Sequence, residues 1–207
     1  MYATNLNSSD FSKTVSFLCR TFNIEEIIET GTFNGQGSTS IFAETKLPVT
    51  SLEANSELAA SARKHLANYS NVKILNVLSL KKQDMKDFIA QDNFKFPDWV
   101  LHDVNDSSNE KDFYTKEISQ ETDREDVLKE LIDNDKSQLI FLDSAGAVGY
   151  LEFKEVLKLD KDKLSRKTLL MDDVFHIKHY RSIKELSQMG NCIPFLNSEA
   201  RFAWYKF

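Results

Sequence analysis

Glu29-Thr30-Gly31-Thr32-Phe33-Asn34-Gly35-Gln36-Gly37-Ser38 is the stretch that decides the fold of this chain, and it holds three of the chain's six glycines. It follows an apolar run, Ile24–Ile28, that ends on an acid, and it precedes a segment with a helical pattern, Ser38–Thr45. A strand, a glycine-rich turn and a helix N-terminus together make a cradle for a small molecule. Glycine lets the backbone turn tightly and come close to a ligand. The helix start presents free N–H groups and a partial positive charge.

The same alternation of strand and helix extends outward in both directions. Phe11, Val15, Leu18 and Phe22 fall at helical spacing, which predicts an amphipathic helix over about 10–22, capped by Ser9 or Asp10. After the turn come a strand at Val49–Glu53, a helix from Asn55 or Ser56 to about Tyr69, a strand at Val72–Leu78 and a helix at Gln83–Gln91. The rhythm resumes at Gln138–Asp143, with a helix at Leu151–Leu159, a strand at Thr168–Asp172 and a helix at about Ile177–Met189 ending at Gly190. Cys192–Leu196 and Arg201–Phe207 read as two final strands joined through Asn197–Ala200 as a hairpin. Alternating strands and helices imply an α/β, doubly wound, mostly parallel sheet covered on both faces. Such sheets bind ligands outside the carboxyl ends of their strands. Those ends are Glu29–Gly37, Glu53, Ser79, Asp143 and Asp172–Asp173.

Length and composition set the frame. At 207 residues, 41% apolar and with a mean hydropathy of −0.41, the chain is expected to form a single domain over 1–207 with a sizeable core. Residues 92–137 break the rhythm. They carry 14 acids and 6 bases, against 18 and 20 in the remainder, so the net charge of −6 belongs to this segment. It reads as an acidic insertion between the third and fourth main strands, acting as a lid or partner surface. Within it, Trp99–Val104 is a candidate strand, Asn105–Glu110 a polar loop, Phe113 and Tyr114 an aromatic pair, and Thr122–Asn134 an acidic helix. Its charge disfavours a nucleic-acid partner. No apolar run is long enough to cross a membrane, and the polar Met1–Asp10 lacks the order of a signal peptide, so a cytoplasmic protein is expected. Cys19 and Cys192 match no metal or redox spacing and read as reduced, buried residues.

The ligand class follows from spacing. The glycines run G-x-x-x-G-x-G, not the G-x-G-x-x-G of nicotinamide sites, and no lysine follows Gly37 as a phosphate loop requires. An acid two positions before Gly31 would oppose a pyrophosphate and suit a ligand ammonium. Glu53 ends the next strand, where an acid can accept two ribose hydroxyls. Glu29-Thr-Gly31-x-x-x-Gly35-x-Gly37, followed by strand-ending Glu53, resembles the S-adenosylmethionine site of class I methyltransferases. The resemblance covers nearly the whole chain. It implies a Rossmann-like seven-stranded sheet with a C-terminal antiparallel hairpin. It further implies that Glu29 faces the methionine amino group, that Gly31, Thr32, Gly35, Gly37 and Ser38 pass close to the cofactor, and that Glu53 holds the ribose. Ser79 or Leu78 stands where the family often has an acid for adenine.

A second constellation lies at Asp143, which ends the fourth strand, and at Asp172 and Asp173, which end the fifth. Neighbouring strands would gather these carboxylates, and clustered carboxylates need protons, partners or a metal. Oxygen ligands favour Mg²⁺ or another hard divalent cation. The pattern resembles the metal-dependent catechol-type and macrocin-type O-methyltransferases, which implies a cation held by Asp143, Asp172 and Asp173. No lysine follows Asp143 within a few residues, so that group's usual base is missing. His176 and His179, three apart on an expected helix, are candidate bases, with Asp143 as a third catalytic residue. The expected function is methyl transfer from S-adenosylmethionine to a small-molecule hydroxyl, in a monomer or homodimer. The alternative is a catalytically silent cofactor-binding module acting through a protein partner.

Overall fold

The computed structural model describes residues 9–102, 110–189, 195–197 and 202–207. The expected cap at Gly190, Cys192, residues 103–104 and residues 198–201 lie outside this set. In chain order the elements are α1 (Ser9–Thr21), β1 (Glu26–Thr30), α2 (Ser38–Glu44), β2 (Val49–Glu53), α3 (Ser56–His65), β3 (Val72–Asn76), α4 (Lys82–Gln91), α5 (Glu110–Glu117) and α6 (Val127–Ile132). They continue with β4 (Gln138–Leu142), α7 (Ala147–Val156), α8 (Lys161–Leu164), β5 (Lys167–Met171), α9 (Tyr180–Gln188), β6 (Phe195–Asn197) and β7 (Phe202–Lys206). All seven strands join one sheet in the order β3-β2-β1-β4-β5-β7-β6. The first five are mutually parallel, and β7 runs antiparallel to both β5 and β6. Strand order reverses between β1 and β4, so the carboxyl end of β1 is the point where this topology opens a crevice.

The strands look uniformly apolar because both faces are covered. Ile27, Leu139, Phe141 and Leu170 pack on one side with Phe11, Val15 and Leu18 of α1. Their neighbours Ile28, Ile140, Leu142, Leu169 and Met171 pack on the other with Val148, Phe153 and Val156 of α7. The period of two is thus present but hidden in the sequence. Phe11 sits at the centre of the first face, with its ring 5.5 Å from that of Phe141 and 5.3 Å from that of Phe202, both edge-on.

Several expectations need correction. The acidic helix expected over Thr122–Asn134 is cut to α6. Residues 123 and 124 instead run parallel beside the end of β3, with the Asp123 N–H donating to the Asn76 carbonyl and the Leu78 N–H to the Arg124 carbonyl. Left-handed Asp126 (φ 63°) then sets the start of α6. Val127, Leu128 and Ile132 of α6 are buried, so the end of the 92–137 segment is part of the core. The strand expected at Trp99–Val104 is, among the described residues, a single bridge from Leu101 to His176. That bridge also overturns the placement of His176 and His179 on one helix. Leu101 donates to the Phe175 carbonyl and accepts from the Ile177 N–H, which sets His176 in a bridge between two turns, and α9 begins only at Tyr180. No described helix is long and apolar enough to cross a membrane.

Candidate active site

The turn after β1 is built on buried hydroxyls around one carboxylate. Ser38 donates to Oε1 of Glu29, and Ser51 of β2 donates to Oε2 at 2.5 Å. With the proton of Ser51 engaged there, Thr32 is the donor in its 2.5 Å bond to Ser51. Glu29 is fully buried, and burial pushes its carboxyl up to about 7 against the opposing pull of the serines. It therefore lies beneath the turn, as the post that joins β1, β2 and the start of α2. Gly31 has φ 83°, and a Cβ there would sit 2.5 Å from the Asp143 carbonyl oxygen, so the ends of β1 and β4 touch only because this residue is glycine. Gly35 has φ 79° and packs on Ala62 of α3 and on Leu66 just after it. Gly37 differs, because a Cβ there would meet nothing within 4 Å. Glu53, at the end of β2, accepts the N–H groups of Phe33 (2.7 Å) and Asn55 (2.8 Å), and burial raises its pKa. Phe33 itself is left-handed (φ 54°) and 58% exposed, so its ring stands at the rim of the turn.

The second constellation is also assembled. Asp143, Asp172 and Asp173 offer oxygens within 4.8 Å of one another. Their number and chemistry suit a hard cation. The structure adds a group that sequence spacing did not suggest, Lys178, whose Nζ lies 2.8 Å from Oδ1 of Asp143 and 3.0 Å from Oδ2 of Asp173. A positive charge therefore already engages two of the three carboxylates, and as they stand the residues do not fit a resident divalent ion. Asp173 is left-handed (φ 51°), a conformation uncommon for a residue with a side chain, and it turns the chain back toward Lys178.

The histidines part company. His179 is fully buried, and its Nε2 lies 3.1 Å from the Leu142 carbonyl oxygen, so that nitrogen carries the proton and donates. Burial drives its pKa down to about 3. It pins the approach to α9 against the end of β4. His176 lies on the strip beside Leu101, and its Nδ1 is 3.4 Å from the Lys178 backbone N–H. Ser79 donates its hydroxyl to Glu152.

No protein-family profile matches the chain, and no characterised protein matches it by sequence. In three dimensions it is similar to solved structures. An O-methyltransferase from Bacillus cereus, in complex with SAH, is 16% identical over 95% of this chain and 79% of its own, with a TM-score of 0.52. The O-methyltransferase TomG from Streptomyces achromogenes, involved in tomaymycin synthesis and in complex with SAM, is 16% identical over the same shares, with a TM-score of 0.50. Cofactor-bound Rv0187 from MTB is 15% identical, again over 95% and 79%, with a TM-score of 0.52. At such identities the likeness is one of fold. The fold is that of the Rossmann-like methyltransferases.

Within this methyltransferase fold, two features were not apparent from sequence. Glu152 of α7 is fully buried and accepts from Thr30 (2.8 Å), Ser144 (2.7 Å) and Ser79. Burial pushes its carboxyl up to about 7. It thus ties together β1 and the loops after β3 and β4 from below. Its only sequence signal is an acid on the apolar stripe Val148, Glu152, Val156. The second feature is α5. Tyr114 is 3% exposed, with its ring where any side chain at Gly146 (φ 53°) would have to be. Glu117, at the end of the same helix, adds its charge to that felt by Glu53. Helix α5 therefore runs along the carboxyl ends of the strands, from the loop after β4 toward β2.

Proposed function

We propose that the chain binds S-adenosylmethionine at the carboxyl ends of β1, β2 and β4 and transfers its methyl group to an oxygen of a small molecule. The observation that carries this reading is the glycine turn. It sits at the β1–β4 reversal of a methyltransferase-fold sheet, with open space above Gly37 and an acid, Glu53, ending the neighbouring strand. The fit extends to charge. Glu53 and Asp143 border the crevice while Glu29 and Glu152 lie buried beneath it, and such a setting suits a cationic sulfonium carrying an ammonium group and opposes a pyrophosphate. The ligands in the Bacillus cereus and TomG complexes, SAH and SAM, agree with it.

When bound, the cofactor supplies an electrophilic methyl group, and the protein's part is alignment and electrostatics. Gly31, Thr32, Gly35 and Gly37 form the bed of the site, and Ser38 is held in place by Glu29. Glu29 acts as a positioning residue, because both of its oxygens are engaged beneath the turn. Glu53 faces the ribose, and Ser79 works through Glu152 rather than on adenine. Helix α5 and Tyr114 form the cover that keeps water from the crevice. Removal of the acceptor's proton falls to His176 or Asp143, because His179 is turned inward and donates its Nε2 proton to Leu142.

Calorimetric titration with S-adenosylmethionine tests the reading. One site with a micromolar dissociation constant is expected, and its absence in folded protein overturns the proposal. Transfer of a labelled methyl group to a panel of phenols and alcohols then tests the oxygen acceptor. His176→Ala should lower turnover while leaving cofactor affinity unchanged, whereas His179→Ala should chiefly lower stability.

A further inference from the structure

The carboxylate cluster at the ends of β4 and β5 is the part of the site whose chemistry the fold does not decide. Three carboxylates within 4.8 Å would repel strongly without a cation. The chain supplies one itself. The Lys178 side chain is only 11% exposed, and its ammonium contacts Asp143 at 16% and Asp173 at 13% side-chain exposure. At such depth neither pair is a solvated surface bridge of negligible strength. The local backbone is shaped to deliver it. Asp173 takes a left-handed conformation, the Asp173 carbonyl accepts the His176 N–H at 2.8 Å, and the Leu101 bridge fixes 175–177 immediately before the lysine.

We propose that Lys178 is a tethered cation that occupies the role of a divalent ion in this cluster. The acceptor end of the crevice is then metal-independent, and the positive group that an acceptor oxygen meets there is an ammonium. An ammonium has no coordination sphere to fill and offers hydrogen-bond donors only. It therefore suits a single acceptor oxygen rather than a chelating pair of hydroxyls. The meaning for catalysis rests on the methyltransferase reading, but the occupancy of the cluster does not.

The test is Mn²⁺ binding, followed by electron paramagnetic resonance on the full chain without added substrate. Wild-type protein should show no saturable site below millimolar Mn²⁺. Lys178→Ala, which leaves three carboxylates without their cation, should acquire one site at least about tenfold tighter, and adding Asp173→Asn should abolish it. Lys178→Met keeps the aliphatic stem and replaces the alanine variant if that one fails to fold. A wild-type site that is tight and lost in Asp173→Asn overturns the proposal. So does a folded lysine variant, by circular dichroism, that still binds no Mn²⁺. As an independent measurement, the wild-type melting temperature should be unchanged by chelator or by Mn²⁺, and a rise with Mn²⁺ counts against the tethered cation. Titration with S-adenosylmethionine alone reports on the methyltransferase reading separately, since that ligand's site needs no metal.

Discussion

Glu152 makes a measurable claim at the scale of one side chain. Its pKa is about 7 in the folded protein, against an ordinary 4.5, because burial disfavours the ionised form. Below pH 4.5 both states hold the proton. As pH rises from 4.5 to about 7 the unfolded chain ionises first, so this group's contribution to stability is lost across that window. The full shift corresponds to roughly 3 kcal/mol. Glu29 acts in the same direction, and His179, whose folded pKa is lowered from 6.5 to about 3, acts in the opposite one. Its stability is lost as pH falls from 6.5 toward 3. Glu152→Gln removes one of the two falling contributions. Unfolding free energies from urea titrations at pH 5 and pH 8 should therefore drop less for the variant than for wild type, by up to roughly 3 kcal/mol. The glycines separate in the same way. Gly31→Ala should destabilise by more than about 2 kcal/mol, because its Cβ strikes the Asp143 carbonyl in a left-handed backbone. Gly37→Ala adds a Cβ that meets nothing within 4 Å, so on the proposed reading its effect should fall on cofactor affinity with the melting temperature nearly unchanged.

Among the elements, α1 and the segment after α4 make opposite demands on the sequence. α1 was legible because Phe11, Val15 and Leu18 repeat at helical spacing and meet the sheet. Phe11→Ala should cost about 3–5 kcal/mol in denaturant unfolding, since its ring contacts those of Phe42, Phe141 and Phe202. The five parallel strands were legible as apolar runs, and four of them close on acids, with Ser79 following the third, at the edge where such sheets bind ligands. Helix α5 was not. Glu110–Glu117 carries one adjacent aromatic pair and no stripe, and its place is set by Tyr114 against Gly146, 32 positions away. Lys178 and Glu152 were unreadable as site residues for the same reason. Each has a partner near in sequence but also one that only the fold brings close: Lys178 reaches Asp143 from 35 positions away and Glu152 reaches Thr30 from 122. The anchoring of residues 92–101 is equally long-range. Arg181 of α9 pairs with Asp92, and its guanidinium lies 4.2 Å from the ring centre of Phe94, 5.0 Å from that of Phe96 and 5.1 Å from that of Tyr150. Arg181→Ala removes the charge and the ring contacts together, at a cost of about 2–3 kcal/mol. Hydrogen exchange should quicken across 94–101, with the strands unaffected; uniform exchange throughout the chain would show that Arg181 does not hold this segment.

Across the whole molecule, the distribution of charge links folding to ligand choice. The sequence carries its net charge of −6 largely in residues 92–137, and the fold brings α5 of that segment to the carboxyl edge, where Glu29, Glu53, Asp143 and Glu152 already lie. Lys178 offsets part of the aspartate cluster and leaves the crevice negative. On the proposed reading, S-adenosylmethionine carries a sulfonium charge that its demethylated product lacks, so the field of the crevice should discriminate between them. Glu29 and Glu152 make that discrimination depend on pH. Both titrate near 7, so the crevice gains negative charge between pH 6 and pH 8. The affinity ratio of cofactor to demethylated product should therefore rise over this range, by less than about tenfold because each buried glutamate is linked to the ligand only in part. Added salt should flatten the rise. Paired calorimetric titrations at pH 6 and pH 8 measure the ratio directly, and in Glu152→Gln the slope should shrink toward that of Glu29 alone. A ratio that does not change with pH in wild type would mean that the buried carboxylates are purely structural. The choice between methyl donor and product would then rest on contacts at the methyl group itself.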